Sequence, residues 1–197
     1  MDVDLIATGL WRWTAAHPDW TEAADWPREV SCVYYEAPDA VVLFDPLVPD
    51  APAERERFLA ALDRDVERLS RPVAILLTVA WHERSSAELS ERYGATQGAA
   101  PGGVVARPLG VAGETVYWLP EHLALVVGDS LLGDGSGGVV VCPDDWLDDA
   151  WVDGADPAAL RAALRLLLDL PFERLLLSHG APVLDGAHSA LAQALAE

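Results

Sequence analysis

Four short apolar runs, each followed by polar residues, constrain the fold of this 197-residue chain more than any other feature. The runs are VVLF, AILL, LALVVG and LLL, and the polar residues that follow them are Asp45, the Trp81–Arg84 cluster, Asp129 and His179. Continuous apolar runs of this length are typical of strands that are buried on both faces of a sheet. Because strand ends deliver side chains to one edge of a sheet, we expect these polar residues to form a functional rim.

Segments with helical periodicity separate groups of strands. Proline near the start and glycine at the end mark the first two helices, at Pro52 and Gly94. Helices are predicted over residues 51–69, 85–94, 155–170 and 185–197. Further strands are predicted over residues 5–15, 31–37, 103–109, 115–120 and 138–143, with 131–138 as a mobile Gly-rich loop. Two groups of strands flanked by helices indicate a layered α/β arrangement, and the even composition indicates one domain over residues 1–197.

Charge and composition exclude several partners. The formal net charge is −19, from 32 acidic and 13 basic residues, and this field repels nucleic acid and anionic membrane surfaces. The N-terminus lacks the basic and apolar segments of a signal peptide, and no run is long enough to cross a membrane, so we expect a cytoplasmic protein. Cys32 and Cys142 lack CxxC spacing and are predicted to be buried thiols.

The order of elements and the endings VVLFDP, LVVGDSLL and LLLSHGAP resemble the metallo-β-lactamase superfamily over essentially the whole chain. The resemblance implies an α/β (α+β) fold, the four-layer αββα sandwich of that superfamily, with the site on one rim. It also implies roles for single residues. Asp45 corresponds to the Asp that closes the early strand, Asp129 to the Asp that bridges two metal ions, and His179 to the last His ligand.

The chain departs from the superfamily at its metal-binding signature, His-x-His-x-Asp-His directly after a Thr. Aligned on Thr78, the two leading His positions hold Val79 and Trp81, the Asp position holds Glu83, and the closing His position holds Arg84. Valine and tryptophan offer no ligand atom to a metal ion. The resemblance therefore implies that the first of the two metal positions is lost.

The second metal position keeps several ligand atoms. Glu83, Asp129 and His179 would make a mononuclear set for one divalent ion, Zn, Fe or Mn. Arg84 opposes this, because a guanidinium beside two carboxylates competes with a dication and does not lose its proton. We therefore expect no metal cofactor, with Arg84 paired to Asp129 or Glu83 in the metal's place.

Three further residues complete the candidate pocket. Glu114 stands where the superfamily's mid-chain His ligand is expected. His82 lies one residue out of register with the second signature His. It either faces solvent in a loop, which we expect, or is turned inward by a local bulge. Trp81 would fill the former metal pocket with apolar bulk if its side chain points inward.

These residues support three functions. The one we expect is a metal-free protein of this fold, with a mostly lost dinuclear site, that binds a small molecule or another protein. The second is a mononuclear metal-dependent hydrolase of an ester, thioester or lactam that uses Glu83, Asp129 and His179. The third is a metal-free acid–base enzyme that uses His179 and Asp129. A small-molecule partner is expected in each case, a homo-oligomer is compatible with the sequence, and any enzyme activity is expected to be hydrolytic.

Overall fold

The structure is a computed structural model that describes residues 1–148 and 156–196. The chain folds as two compact units. The first contains Met1–Leu77 and Trp81–Val104, and the second contains Thr78–Ala80 and the described residues from Val105 onward. Each unit combines β-sheet with α-helices, so the predicted mixed α/β class is confirmed. The predicted helix ends at residues 155 and 197 lie outside the described residues.

The first unit is built on a six-stranded sheet. Its strands are β1 (Val3–Ala7), β2 (Leu10–Ala16), β3 (Glu29–Glu36), β4 (Val41–Phe44), β5 (Val73–Leu76) and β6 (Thr96–Gln97), which neighbour one another in chain order. Strands β1 to β4 pair antiparallel, whereas β4, β5 and β6 pair parallel. The two apolar runs at β4 and β5 are buried along their whole length, as predicted for strands covered on both faces.

Two helices belong to this unit, α1 (Pro52–Leu69) and α2 (Ser86–Tyr93). Pro52 suits the first turn of α1 because its missing N–H needs no partner there. Gly94 ends α2 in the left-handed conformation, at φ 62°, which glycine adopts without strain. The apolar face predicted for α1 packs on the core of the sheet, with Leu62 fully inside it.

The second unit contains a four-stranded sheet and a hairpin. Its strands are β7 (Val105–Pro108), β8 (Thr115–Leu119), β9 (Ala124–Val127), β10 (Leu131–Gly133), β11 (Val139–Val141) and β12 (Arg174–Leu177). The sheet has the order β12-β9-β8-β7, with β12 parallel to β9, and β10 pairs with β11. The prediction of a mobile loop over 131–138 is wrong at its start, because buried Leu131 pairs with Val141 in the hairpin.

The described helices of this unit are α3 (Asp144–Asp148), α4 (Pro157–Arg165) and α5 (Ala187–Ala194). Asp156 caps α4 as predicted, because its carboxylate accepts a hydrogen bond from the Ala158 N–H. Leu160 and Leu164 of α4 are fully buried in the core of the unit.

None of the helices in residues 1–148 and 156–196 has the length and apolar character needed to cross a membrane.

Both cysteines are buried and unbonded to each other, as predicted. Burial raises the pKa of Cys32 to about 11 and that of Cys142 to about 12. Neither thiol is therefore activated as a nucleophile at neutral pH.

Candidate metal centre

A buried pair, Asp45 and His82, lies in the first unit. Asp45 follows β4 and is 2% exposed, and His82 lies in the 3-10 turn Ala80–Glu83 and is 5% exposed. The His82 Nδ1 lies 3.1 Å from the Asp45 Oδ2. Because an ionised carboxylate only accepts hydrogen bonds, Nδ1 carries the proton, and Nε2 is the nitrogen through which His82 would bind a metal.

The burial of His82 corrects the expectation that it faces solvent. The 3-10 turn is irregular at His82, with φ −82° and ψ 25°, and Arg84 takes a left-handed φ of 42°. This local irregularity turns His82 inward and leaves Glu83 and Trp81 exposed, Trp81 by 40%. Glu83, which the superfamily spacing predicts as a metal ligand, is thus exposed in the structure.

Arg84 binds backbone carbonyl groups. Its NH1 donates to the carbonyl oxygen of Ser31, at 3.1 Å, and to that of Asp45, at 2.9 Å. Within the part of the chain that the structure describes, Arg84 forms no ion pair with a carboxylate, so its predicted pairing with Asp129 or Glu83 is wrong. The guanidinium instead supplies hydrogen-bond donors to the carbonyl groups of two buried residues.

The polar pair of the second unit is Asp129 with His179. The parallel strands β9 and β12 are in register at Val127 and Leu177, so the residues that follow them meet at one edge. The His179 Nε2 lies 3.3 Å from the Asp129 Oδ1, and His179 is 6% exposed. The ring of Trp146 stands edge-on to the imidazole of His179, with 6.1 Å between the ring centroids. Two of the residues predicted at strand ends, Asp129 and His179, therefore lie close together.

Glu114 is a buried carboxylate that binds the loop around Asp129. It is 2% exposed and accepts hydrogen bonds from Gly128 N–H, Ser130 N–H and Ser130 Oγ, each at 2.9 Å. Burial raises the pKa of Glu114 to about 7, the charge of Asp129 adds to this, and the hydrogen bonds from Ser130 and Gly128 oppose it. Both carboxylate oxygens of Glu114 are engaged with the loop. The residue pattern carries no signal for this role, because two of the three donors are backbone groups.

A close backbone crossing fixes His179. The Gly133 N–H donates to the His179 carbonyl oxygen at 3.0 Å. A Cβ on Gly133 would lie 2.5 Å from the Ala181 oxygen, and one on Gly180 would lie 2.8 Å from the Gly133 oxygen. Two glycines are therefore needed where the hairpin passes the chain that carries His179.

His82, Asp129 and His179 form the one group of potential metal ligands that the described residues contain. Each offers one ligand atom, and these three atoms lie within 4.8 Å of one another. Two imidazoles and a carboxylate match the ligand sets of catalytic zinc and of non-haem iron, in which further coordination positions stay open. The donor set thus fits one divalent ion, with His82 in the place predicted for Glu83.

Replacing Asp45 by Asn is expected to lower the metal affinity of this set about 10- to 100-fold, the usual effect of removing the partner that orients a ligating His. The Asn side chain can present its NH₂ group to Nδ1 of His82, which favours the wrong tautomer. Competition with a fluorescent chelator measures the affinity. Asp39→Asn is the control, because the Asp39 carboxylate accepts the Gly102 N–H on the surface. Equal affinities in the two variants would contradict the orienting role of Asp45.

Comparison with solved structures identifies the fold. A metallo-β-lactamase from Hirschia baltica matches with a TM-score of 0.60 and 14% identity over 99% of this chain and 96% of its own. One from Pontibacter korlensis matches with a TM-score of 0.55 and 17% identity, over 99% and 97%. A metallo-β-lactamase family protein from Thermus thermophilus gives 0.55 and 17%, over 98% and 80%. No protein-family model and no curated protein matches the chain. The predicted metallo-β-lactamase fold is confirmed.

Proposed function

We propose that this chain, which has the metallo-β-lactamase fold, binds one divalent metal ion through His82, Asp129 and His179 and hydrolyses an ester, thioester or lactam. The observation that carries the proposal is the convergence of three ligand atoms within 4.8 Å. This favours the metal-dependent hydrolase over the metal-free binding protein expected from the sequence, because the Arg84 cation is engaged with carbonyl groups.

The proposed centre is mononuclear. Val79, at the first signature His position, is a buried apolar side chain with 2% exposure. Glu114, at the mid-chain His position, directs both oxygens to the loop of residues 128–130. A second ion would lack these two ligands, so the proposal assigns one metal equivalent to each chain.

The chain's own residues have defined tasks in this proposal. A divalent ion held there would polarise the substrate carbonyl and make a water molecule more acidic. Asp45 Oδ2 accepts the Nδ1 proton of His82 and so keeps Nε2 directed to the ion. Asp129 supplies the negative charge of the set, and burial of both imidazoles keeps competing water away from the ligand atoms.

The contact between His179 Nε2 and Asp129 Oδ1 favours a second candidate, a metal-free acid–base enzyme. In that case the carboxylate would orient the imidazole, and His179 would transfer the proton. The substrate, oligomeric state and cellular location stay predictions under both candidates.

Hydrolysis by stripped and reloaded protein tests the proposal. Protein without a His tag is treated with chelator, reloaded with Zn, Mn or Fe(II), and assayed on chromogenic esters, thioesters and lactams. We expect one class to be hydrolysed only by reloaded protein, and Asp129→Ala to remove this activity. Asp134→Asn is the matched control, because the Asp134 carboxylate is exposed and binds groups in its own loop.

Equal hydrolysis by stripped and reloaded protein would instead support the acid–base candidate. Absence of hydrolysis of every substrate by protein that has taken up metal would refute the hydrolase proposal.

A further inference from the structure

The loop that presents Asp129 is held by one buried side chain. Glu114 accepts hydrogen bonds from the residue before Asp129 and from the residue after it, through Gly128 N–H and Ser130 N–H, both at 2.9 Å. The Ser130 hydroxyl adds a third hydrogen bond to the Oε1 that Gly128 binds. Each of the two carboxylate oxygens accepts a backbone N–H from one of the residues that flank Asp129, so one side chain holds both neighbours.

Packing leaves this loop little freedom. A Cβ on Gly128 would lie 2.7 Å from Thr78 Oγ1 and 3.2 Å from the Glu114 carboxyl carbon, so the backbone there fills the available space. On the other side, the Ser130 carbonyl accepts the Cys142 N–H at 3.0 Å, which ties the loop to the end of β11. The Asp129 side chain is thus carried by a segment fixed at both ends.

We propose that Glu114 is a positioning residue, which sets the direction of the Asp129 carboxylate by binding both of its neighbours in the chain. This inference rests on the proposed function, because the carboxylate that is positioned is the proposed metal ligand. Glu114 does not touch the metal in this role. At the position where the superfamily would place a His ligand, this chain has a residue that holds another ligand.

The Glu114→Gln variant is a sharp probe of this role. Glutamine has nearly the same shape, but one of its two terminal atoms is a nitrogen that only donates hydrogen bonds. That nitrogen faces the Gly128 N–H in one orientation of the amide and the Ser130 N–H in the other. The variant therefore breaks one of the two flanking hydrogen bonds, whichever way the amide is turned.

Two measurements on the full chain distinguish the hydrogen bonds of Glu114 from their effect on metal binding. Hydrogen exchange of the Gly128 and Ser130 amides in metal-free protein reports the contact. Titration with Co(II), followed by its visible absorption bands, reports the affinity and geometry of the metal site. We expect Glu114→Gln to exchange at least about tenfold faster at one of these amides and to bind Co(II) about 10- to 100-fold more weakly, with altered bands. Ser130→Ala, which removes only the hydroxyl, should bind Co(II) a few-fold more weakly than wild type.

Asp134→Asn is the matched control, because Asp134 also accepts backbone N–H groups but in the exposed loop of residues 134–138. It should leave Co(II) binding unchanged. If Glu114→Gln does not fold, the Co(II) affinity of Ser130→Ala tests the proposal instead, and an affinity equal to wild type would overturn it. Unchanged exchange in Glu114→Gln would overturn the proposal, as would faster exchange with Co(II) binding equal to wild type. Wild-type protein that binds no Co(II) would refute the metal site itself, and the exchange result would still report the loop contact.

Discussion

Replacing His82 by Gln is expected to abolish tight metal binding, whereas replacing the adjacent Glu83 by Gln is expected to leave it unchanged. The two substitutions are one residue apart and both introduce the same neutral side chain. His82 is 5% exposed and belongs to the three-atom ligand group, but Glu83 is exposed and outside it. Removing one of three protein ligands should lower the affinity by at least about 100-fold, more than removal of an orienting partner does.

Isothermal titration with Zn(II) measures both affinities under the same conditions. Circular dichroism before the titration establishes that each variant is folded. The opposite result, with binding lost in Glu83→Gln and kept in His82→Gln, would restore the ligand set that the superfamily spacing predicts. Equal binding by both variants would exclude His82 from the metal site.

Replacing Gly180 by Ala is expected to destabilise the fold by about 2–4 kcal/mol. Gly180 has a φ of +82°, which costs an L-residue about 1 kcal/mol. Its new Cβ would also lie 2.8 Å from the Gly133 oxygen and 2.9 Å from the Gly133 Cα, where only backbone could move. Such an overlap adds about 1–3 kcal/mol. The shift would displace His179, whose carbonyl accepts the Gly133 N–H.

Gly186→Ala is the matched control for this substitution. Gly186 also has a positive φ, +64°, but a Cβ there would meet no atom within 4 Å. Only the conformational cost of about 1 kcal/mol is expected. Urea unfolding of the two variants measures the difference in free energy of unfolding. Equal losses would mean that the crossing of residues 133 and 180 is not tightly packed.

The strand-end residues could be predicted from the sequence because apolar runs and the polar residues after them are local patterns. Asp45, Asp129 and His179 follow buried strands as expected, and the pairing of Asp129 with His179 follows from two parallel strands in register. The fold is specified in the same way, since each buried run must be covered on both faces.

The place of His82 in the proposed ligand set could not be predicted from spacing. A sequence alignment anchored on Thr78 assumes that the backbone after Thr78 keeps the superfamily's geometry. The irregular turn at residues 80–83 instead directs His82 inward to Asp45 and Glu83 outward. A shift of one residue decides which side chain is buried beside Asp45. The sequence indicated this shift only as a possible local bulge.

The roles of Arg84 and Glu114 could not be predicted from the sequence either, and the physical reason is the same for both. Both side chains bind mainly backbone groups, Arg84 the carbonyls of Ser31 and Asp45 and Glu114 the amides of residues 128 and 130. Backbone donors and acceptors are present at every position of a chain, so nothing in a residue pattern distinguishes the ones that will be used. Charge alone suggested carboxylate partners for Arg84, and the structure assigns it carbonyls.

Metal content of the wild-type protein is the most direct test of the proposed metal site. Protein purified without a His tag is incubated with Zn, Mn or Fe(II), desalted, and analysed for metal per chain by mass spectrometry. We expect about one equivalent of one of these ions, as three protein ligands with open positions would hold, and loss of that ion in His179→Ala. Folded protein that retains no ion under any of these conditions would show that His82, Asp129 and His179 do not form a metal site.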